Sequence, residues 1–103
     1  MSGYLPDVQK YAAAADAKVV ENIVKYCGIA LRSVDASLVS ATDRDELVRV
    51  RDGFAAKKLG LDAAAADAGI AKVIERMKDE RRKSRVTFYY LLAQITGTLA
   101  KLA

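Results

Sequence analysis

Apolar residues near the C-terminal end of the chain recur at the spacing of one helical face. Steps of three and four residues along this face connect the large apolar side chains Phe88, Leu91, Leu92, Ile95 and Leu99. Further apolar or aromatic residues widen the face, namely Val86, Tyr89, Tyr90 and Ala93. A helix that is apolar around most of its circumference is usually surrounded by other helices. We therefore predict that this helix is the centre of the fold.

The first quarter of the chain predicts two helices. Pro6 suits the first turn of a helix, where its missing N–H needs no partner. The alanine-rich run at residues 12–16 is compatible with one continuous helix or with a break at Asp16; we favour the break, with Asp16 as the N-cap of a second helix from about Ala17 to Cys27. Gly28 is well placed to end that helix in a left-handed conformation.

A third helix is predicted between Thr42 and Gly60. Thr42 is a suitable N-cap, and negative charge crowds the first turn at Asp43, Asp45 and Glu46. Leu47, Val50 and Phe54 follow at helical spacing. Gly53 costs about 1 kcal/mol relative to alanine inside a helix, so we expect it to serve close helix packing. Gly60 is the predicted end of the helix.

The remaining pattern completes an all-α fold. Asp62 can cap a fourth helix that runs from Ala63 to about Lys78, and a short charged link, residues 79–84, follows it. Ser84 is the predicted N-cap of the central helix. Residues 32–41 have no clean period and are predicted to be irregular. We expect residues 1–103 to form a compact single-domain bundle of four to five helices.

Composition agrees with a soluble globular domain. Of the 103 residues, 52% are hydrophobic and 29% are charged, which is too apolar for a disordered chain. Cys27 is the single cysteine, so no intramolecular disulfide can form, and a reducing compartment is expected. No apolar run is long enough to span a membrane, and the N-terminus lacks the pattern of a signal peptide. We therefore expect a cytoplasmic protein with no membrane partner.

The net charge of +4 is concentrated in one segment. Residues 76–85 hold six basic side chains, which are candidate anion-binding residues: Arg76, Lys78, Arg81, Arg82, Lys83 and Arg85. Tyr89 and Tyr90 follow, and surfaces that bind nucleic acids combine basic side chains with aromatic rings. Adjacent helical residues point about 100° apart, however, so at least one tyrosine is expected to pack inward. We favour a structural role for the tyrosines over contact with an anion or a partner protein.

Candidate catalytic chemistry is sparse. The chain contains no histidine, which excludes Ser-His and Cys-His nucleophile arrangements, and a zinc site would need several Cys or His ligands. The acids at residues 43–46 lack the spacing of a calcium loop. Gly53 and Gly60 lack the Gly-Lys-Ser/Thr of a phosphate-binding loop. Cys27 lies on an apolar side and is expected to be a buried structural thiol. We expect no enzyme activity, no cofactor and no metal.

Two segments of the sequence match those of a known family in order and spacing. They are Ser40-Ala41-Thr42-Asp43-Arg44-Asp45-Glu46-Leu47 leading to Phe54-Ala55-Ala56-Lys57-Lys58-Leu59-Gly60-Leu61, and Lys83-Ser84-Arg85-Val86-Thr87-Phe88-Tyr89-Tyr90-Leu91-Leu92. With Tyr4-Leu5-Pro6-Asp7 and Lys25-Tyr26-Cys27-Gly28, the chain resembles a family of small bacterial proteins catalogued as domain of unknown function 2853. The resemblance implies a compact helical bacterial protein and supplies no catalytic residues.

Three functional hypotheses follow from these patterns. The favoured one is a small non-enzymatic interaction or adaptor protein, which could form a homo-oligomer. The alternative is a weak nucleic-acid or other anion binder that uses residues 76–85. An enzyme is the least favoured, because it would need a deep pocket that gathers two or more acids with a lysine.

Overall fold

The C-terminal helix is at the centre of the fold. The structure is a computed structural model and describes residues 3–103. Helix α5 spans Arg85–Ile95, and every residue from Val86 to Ala93 is buried. Helices from both halves of the chain pack against it. The predicted all-α bundle with a central C-terminal helix is confirmed.

The break between the first two helices is also confirmed. Helix α1 spans Leu5–Gln9 and helix α2 spans Ala17–Cys27. Asp16 is the N-cap of α2, and its carboxylate accepts a hydrogen bond from the Lys18 backbone N–H at 2.8 Å. The capped backbone is extended at Asp16, which separates the two helices.

Residues 28–39 contain short elements that the sequence pattern did not predict in full. Gly28 adopts φ +53°, as expected for a residue that ends a helix, and begins a 3-10 helix, Gly28–Arg32. Strand β1, Leu38–Val39, then pairs antiparallel with strand β2, Lys83–Ser84. A strand of two residues is too short to show alternation in a sequence, so residues 32–41 were expected to be irregular.

The start of the third helix corrects one prediction. Helix α3 spans Arg44–Val50, and its N-cap is Asp43 instead of Thr42. The Asp43 carboxylate accepts hydrogen bonds from the backbone N–H groups of Asp45 (3.0 Å) and Glu46 (3.3 Å). One carboxylate thereby satisfies two of the free N–H groups at the helix start.

A π-helix, Arg51–Lys58, continues directly from α3. Its wider turn is seen at its end, where the Leu59 N–H donates to the Phe54 carbonyl, five residues back, at 3.1 Å. The chain then leaves the helix at Gly60, which has φ +73° and confirms the predicted end. Phe54 and Ala55 are both buried by this arrangement. A Cβ at Gly53 would meet nothing within 4 Å, so the predicted close packing at this glycine is wrong.

Helix α4 spans Ala63–Arg76 and is capped by Asp62, as predicted. It ends two residues earlier than expected, because Met77 leaves the helical conformation and its carbonyl accepts the Glu80 N–H at 2.9 Å in a turn. This turn leads the chain back to β2. The link at residues 79–84 is therefore partly a strand.

The chain after α5 also differs from the prediction. Leu99 was expected to continue the apolar face of the central helix. Gly97 adopts φ +72°, which ends the helical segment, and Leu99 begins a separate 3-10 helix, Leu99–Leu102. The Asn22 side-chain amide donates to the Leu102 carbonyl at 2.7 Å and fastens this helix to α2.

Close packing between helices occurs at Gly69 of α4. A Cβ at this position would lie 2.7 Å from the Thr96 Cγ2 atom and 2.8 Å from the Leu92 Cδ1 atom. Leu92 is fully buried, and the Thr96 hydroxyl donates to the Leu92 carbonyl at 2.7 Å, so neither side chain is free to move. Gly69, in place of Gly53, is thus the glycine that allows two helices to approach.

We expect Gly69→Ala to lower the free energy of unfolding by about 1–2 kcal/mol. Overpacking costs about 1–3 kcal/mol, and the higher helix propensity of alanine returns at most about 1 kcal/mol. Gly53→Ala is the matched control, and we expect it to be neutral or stabilising by up to about 1 kcal/mol, since the added methyl group is unobstructed. Urea denaturation of both variants measures the difference. Equal stabilities would contradict the assignment of close packing to Gly69.

Candidate interaction surface

The six basic residues of segment 76–85 do not share one surface. Arg76 ends α4, Lys83 lies in β2 and Arg85 begins α5, so the segment spans three elements. The residues with exposed side chains are Arg76, Lys78, Arg81 and Arg82. Lys83 is buried, and its ammonium group donates to the Glu80 carbonyl at 2.6 Å. Lys83 and Arg85, on either side of the N-cap Ser84, are thus both engaged within the fold.

Arg85 uses every donor of its guanidinium group inside the protein. Its Nε donates to the Ala36 carbonyl at 2.7 Å. Its Nη1 donates to the Tyr89 hydroxyl and to Glu46, and its Nη2 donates to the Leu38 carbonyl and to Glu46 Oε1, the last at 2.9 Å. An arginine side chain has five N–H donors, and these bonds account for five. Arg85 is therefore a structural residue that ties α3 and residues 36–38 to α5.

Two of the exposed basic residues also have partners within the chain. The Arg76 guanidinium donates to the Tyr11 carbonyl, and Lys78 forms an ion pair with Glu75 at 2.9 Å. Arg81 and Arg82 make no side-chain hydrogen bond or ion pair to any residue in the part of the chain that the structure describes. They are the two cations of this segment best placed to meet an external anion.

Both tyrosines of the central helix pack inward. The Tyr90 hydroxyl accepts the Asp16 backbone N–H at 3.1 Å, so Tyr90 fastens the start of α2. Tyr89 points elsewhere, and its ring stacks on Phe54 with centroids 3.8 Å apart and planes 10° apart. Burial raises the pKa of Tyr89, although the nearby Arg85 opposes the shift. Neither ring is available to stack on a base.

The rings of Phe54, Tyr89 and Tyr26 form an aromatic cluster, which reaches the surface at Tyr26. Its ring lies 5.4 Å from the Phe54 ring and 6.5 Å from the Tyr89 ring, yet 45% of the residue is exposed. The Lys58 ammonium lies 5.9 Å from the centre of the Tyr26 ring.

Cys27, the next residue in the chain, has a pKa that burial raises to about 11. This thiol therefore stays protonated near neutral pH and is a poor nucleophile.

Two aliphatic residues that follow Tyr26 in the chain are exposed to an unusual degree. Ile29 is 78% exposed and Val34 is 63% exposed. Ile29 belongs to the 3-10 helix Gly28–Arg32, which has no buried residue at all. We call Tyr26, Ile29 and Val34 the exposed apolar surface. The sequence analysis did not predict this surface. Two features of the sequence do mark the segment: residues 22–34 contain no acidic residue, and the apolar period of α2 does not continue after Gly28.

A cavity of about 470 Å³ lies next to the segment that carries Val34. It is bordered by Ser33 and Asp35 on one side and by Arg49 of α3 on another, and the Arg85–Glu46 pair forms part of its wall. A second cavity of about 370 Å³ shares Asp35 and Glu46 with the first and is bordered by Arg81. These shared residues make the two cavities neighbours.

Comparison with known proteins agrees with the family resemblance. The family model for proteins of unknown function DUF2853 matches residues 3–100. The chain belongs to this family. A search of curated proteins found no match to this member of DUF2853.

Within residues 3–103, no helix combines the length and the hydrophobicity needed to cross a membrane. Over the same residues, no group of three or more His, Cys, Asp and Glu side chains is placed to hold a metal ion.

Proposed function

We propose that this DUF2853 protein is a small non-enzymatic cytoplasmic interaction protein that binds another polypeptide through the exposed apolar surface. The observation that carries the proposal is the exposure of Ile29 (78%) and Val34 (63%). Burying one such aliphatic side chain in an interface contributes about 1.5–3 kcal/mol. An interface that covers both residues would therefore gain appreciably from their contact with a partner.

The surroundings of this surface support a rigid binding site. Ser33 and Ser37 hold the segment that carries Val34, since the Ser37 N–H donates to the Ser33 carbonyl at 2.9 Å and the Ser37 hydroxyl donates to the Val34 carbonyl at 2.7 Å. The Tyr26 ring packs against the buried ring of Phe54. An apolar surface that is ordered before binding loses less conformational entropy when a partner covers it.

We expect the double substitution Ile29→Asp/Val34→Asp to abolish partner binding and to leave the fold intact. Both side chains are exposed, so their replacement should change the free energy of unfolding by no more than about 0.5–1 kcal/mol. Wild-type and substituted proteins, used as baits in lysate of the native cell, are compared by quantitative mass spectrometry. Ala71→Asp on the exposed side of α4 is the control for a negative charge added elsewhere on the surface.

The expected result is a set of polypeptides that the wild type and Ala71→Asp retain and that the double variant loses. Circular dichroism and thermal unfolding confirm that all three proteins are folded. If the double variant retains everything that the wild type retains, the exposed apolar surface binds no partner and the proposal fails.

Anion binding by the basic segment is the second candidate function. It is favoured by Arg81 and Arg82, which are adjacent and exposed and have no side-chain partner among the described residues. Arg76 and Lys78 are also exposed and extend the basic segment toward α4. Lys83 and Arg85 contribute nothing to this candidate surface, because both are engaged within the fold.

For this candidate, a labelled single-stranded oligonucleotide should bind weakly at low salt and lose affinity as salt rises. Four phosphate contacts predict a slope of about −3 in a plot of log K against log salt concentration. Arg81→Glu/Arg82→Glu should reduce the affinity at least about tenfold, whereas Arg44→Glu/Lys72→Glu, at exposed cations of α3 and α4, is the charge-matched control. Fluorescence anisotropy measures both. No binding at low salt, or binding without a salt dependence, would exclude nucleic acid as the ligand.

A further inference from the structure

We propose that the partner of the exposed apolar surface is a second copy of the same chain, arranged around a two-fold axis. This inference rests on the proposed function and specifies the partner. It is carried by two charges of opposite sign that border the same cavity beside that surface, Asp35 and Arg49. A two-fold interface needs a surface that is complementary to itself, and a pair of opposite charges next to an apolar centre meets this requirement.

Both charges are available for a partner. Asp35 and Arg49 are exposed, and neither makes a side-chain hydrogen bond or an ion pair within residues 3–103. The other two charges that border the cavity, Glu46 and Arg85, neutralise each other in a pair at 2.9 Å. The cavity is thus bordered by two unpaired groups of opposite charge, and the Glu46–Arg85 pair in its wall adds no net charge.

Asp35 is also directly linked to the apolar surface. It follows Val34 in the chain, and the Ser33 hydroxyl accepts the Ala36 N–H at 3.3 Å, which gives this turn a defined shape. In a two-fold dimer, Ile29 and Val34 would lie near the axis, and Arg49 of each copy would meet Asp35 of the other. The pairing therefore occurs twice in each interface.

Other charges near the surface do not prevent this arrangement. Lys25 and Arg32 are exposed and close in sequence to Tyr26 and Ile29. Long basic side chains can cover apolar surface with their stems and keep their charged ends in water at the rim of an interface. They set the orientation of the two copies less strongly than the repeated pair of Asp35 and Arg49.

Charge reversal tests the pairing directly. Asp35→Arg brings two guanidinium groups together across the interface, and Arg49→Glu brings two carboxylates together. Each variant alone should therefore dimerise at least about tenfold more weakly than the wild type. In an equal mixture of the two variants, the heterodimer contains two contacts between opposite charges. One joins Arg49 of the Asp35→Arg copy to Asp35 of the Arg49→Glu copy, and the other joins the two substituted side chains. Sedimentation equilibrium over about 1–500 μM measures the dissociation constants of wild type, single variants and mixture.

The expected result is a concentration-dependent dimer for the wild type, near-monomers for each single variant, and recovery of the dimer in the mixture. Recovery in the mixture separates contact between copies from a contact within one chain, which mixing cannot restore. A wild type that stays monomeric over the whole range, or a mixture that dimerises no better than its components, would overturn the inference. The bait experiment with Ile29→Asp/Val34→Asp is decided separately, so a partner other than a second copy would still support the proposed function.

Discussion

Replacing Arg85 with alanine should destabilise the protein by about 3–5 kcal/mol. Arg85 and Glu46 are almost buried, with side-chain exposures of 12% and 14%, and the substitution leaves the Glu46 carboxylate without its cation. Removing one partner of such a buried pair costs this much because the remaining charge cannot be rehydrated. The carbonyl groups of Ala36 and Leu38 lose their donors as well. Thermal unfolding should show a Tm lower by more than about 10 °C.

Arg82→Ala is the control for the loss of an arginine from the same segment. Its side chain is exposed and has no partner within the described part of the chain, so its removal should change stability by less than about 0.5 kcal/mol. Adding Glu46→Gln to Arg85→Ala should recover part of the loss, since the unpaired charge is then gone. An Arg85→Ala protein within about 1 kcal/mol of the wild type would show that the pair is not structural.

Phe54→Ala should have an effect of similar size, about 3–5 kcal/mol. Phe54 is 2% exposed and its ring stacks on Tyr89 at 3.8 Å, so the substitution opens a cavity in the centre of the aromatic cluster. Tyr26 would lose the ring that supports it at the surface. Chemical denaturation followed by far-UV circular dichroism measures the stability, and near-UV circular dichroism reports on the tyrosines, since the chain has no tryptophan.

Phe54→Leu separates the contribution of volume from that of the aromatic ring. Leucine fills much of the same space but cannot stack, and aromatic pairs contribute about 0.5–1.5 kcal/mol beyond the area they bury. We therefore expect Phe54→Leu to cost less than half as much as Phe54→Ala and still to change the near-UV spectrum. Two variants of equal stability would indicate that packing at Phe54 is loose, in conflict with its burial.

The main helices could be predicted from the sequence because their determinants are local. The apolar steps from Phe88 to Ile95 identify α5, and the caps at Asp16, Asp62 and Ser84 are each formed within three residues of the helix they begin. Such contacts need no knowledge of the rest of the chain. The Thr42 cap was wrong because the adjacent Asp43 is an equally suitable residue type and captures two N–H groups.

The candidate site could not be predicted in the same way, because it depends on contacts between distant parts of the chain. Arg85 lies in the most basic segment, and its sequence neighbours gave no indication that Glu46 and the carbonyl groups of residues 36 and 38 would use all but one of its donors. The exposure of Ile29 and Val34 is likewise a property of the folded surface. An apolar side chain indicates burial by default, so the loss of the apolar period after Gly28 was not enough to predict that either residue would stay exposed.

The sequence by itself determined the class of fold, the central position of α5, the places where most helices begin and end, and the membership of the family. It did so because helix propensity, apolar periodicity and capping act over a few residues. Only the tertiary structure decided which cations are structural and which apolar side chains stay exposed. It also assigned close packing to Gly69 instead of Gly53. These outcomes depend on which surfaces meet after folding, and residues far apart in the chain, such as Gly69 with Thr96 or Asp7 with Thr87, meet only there.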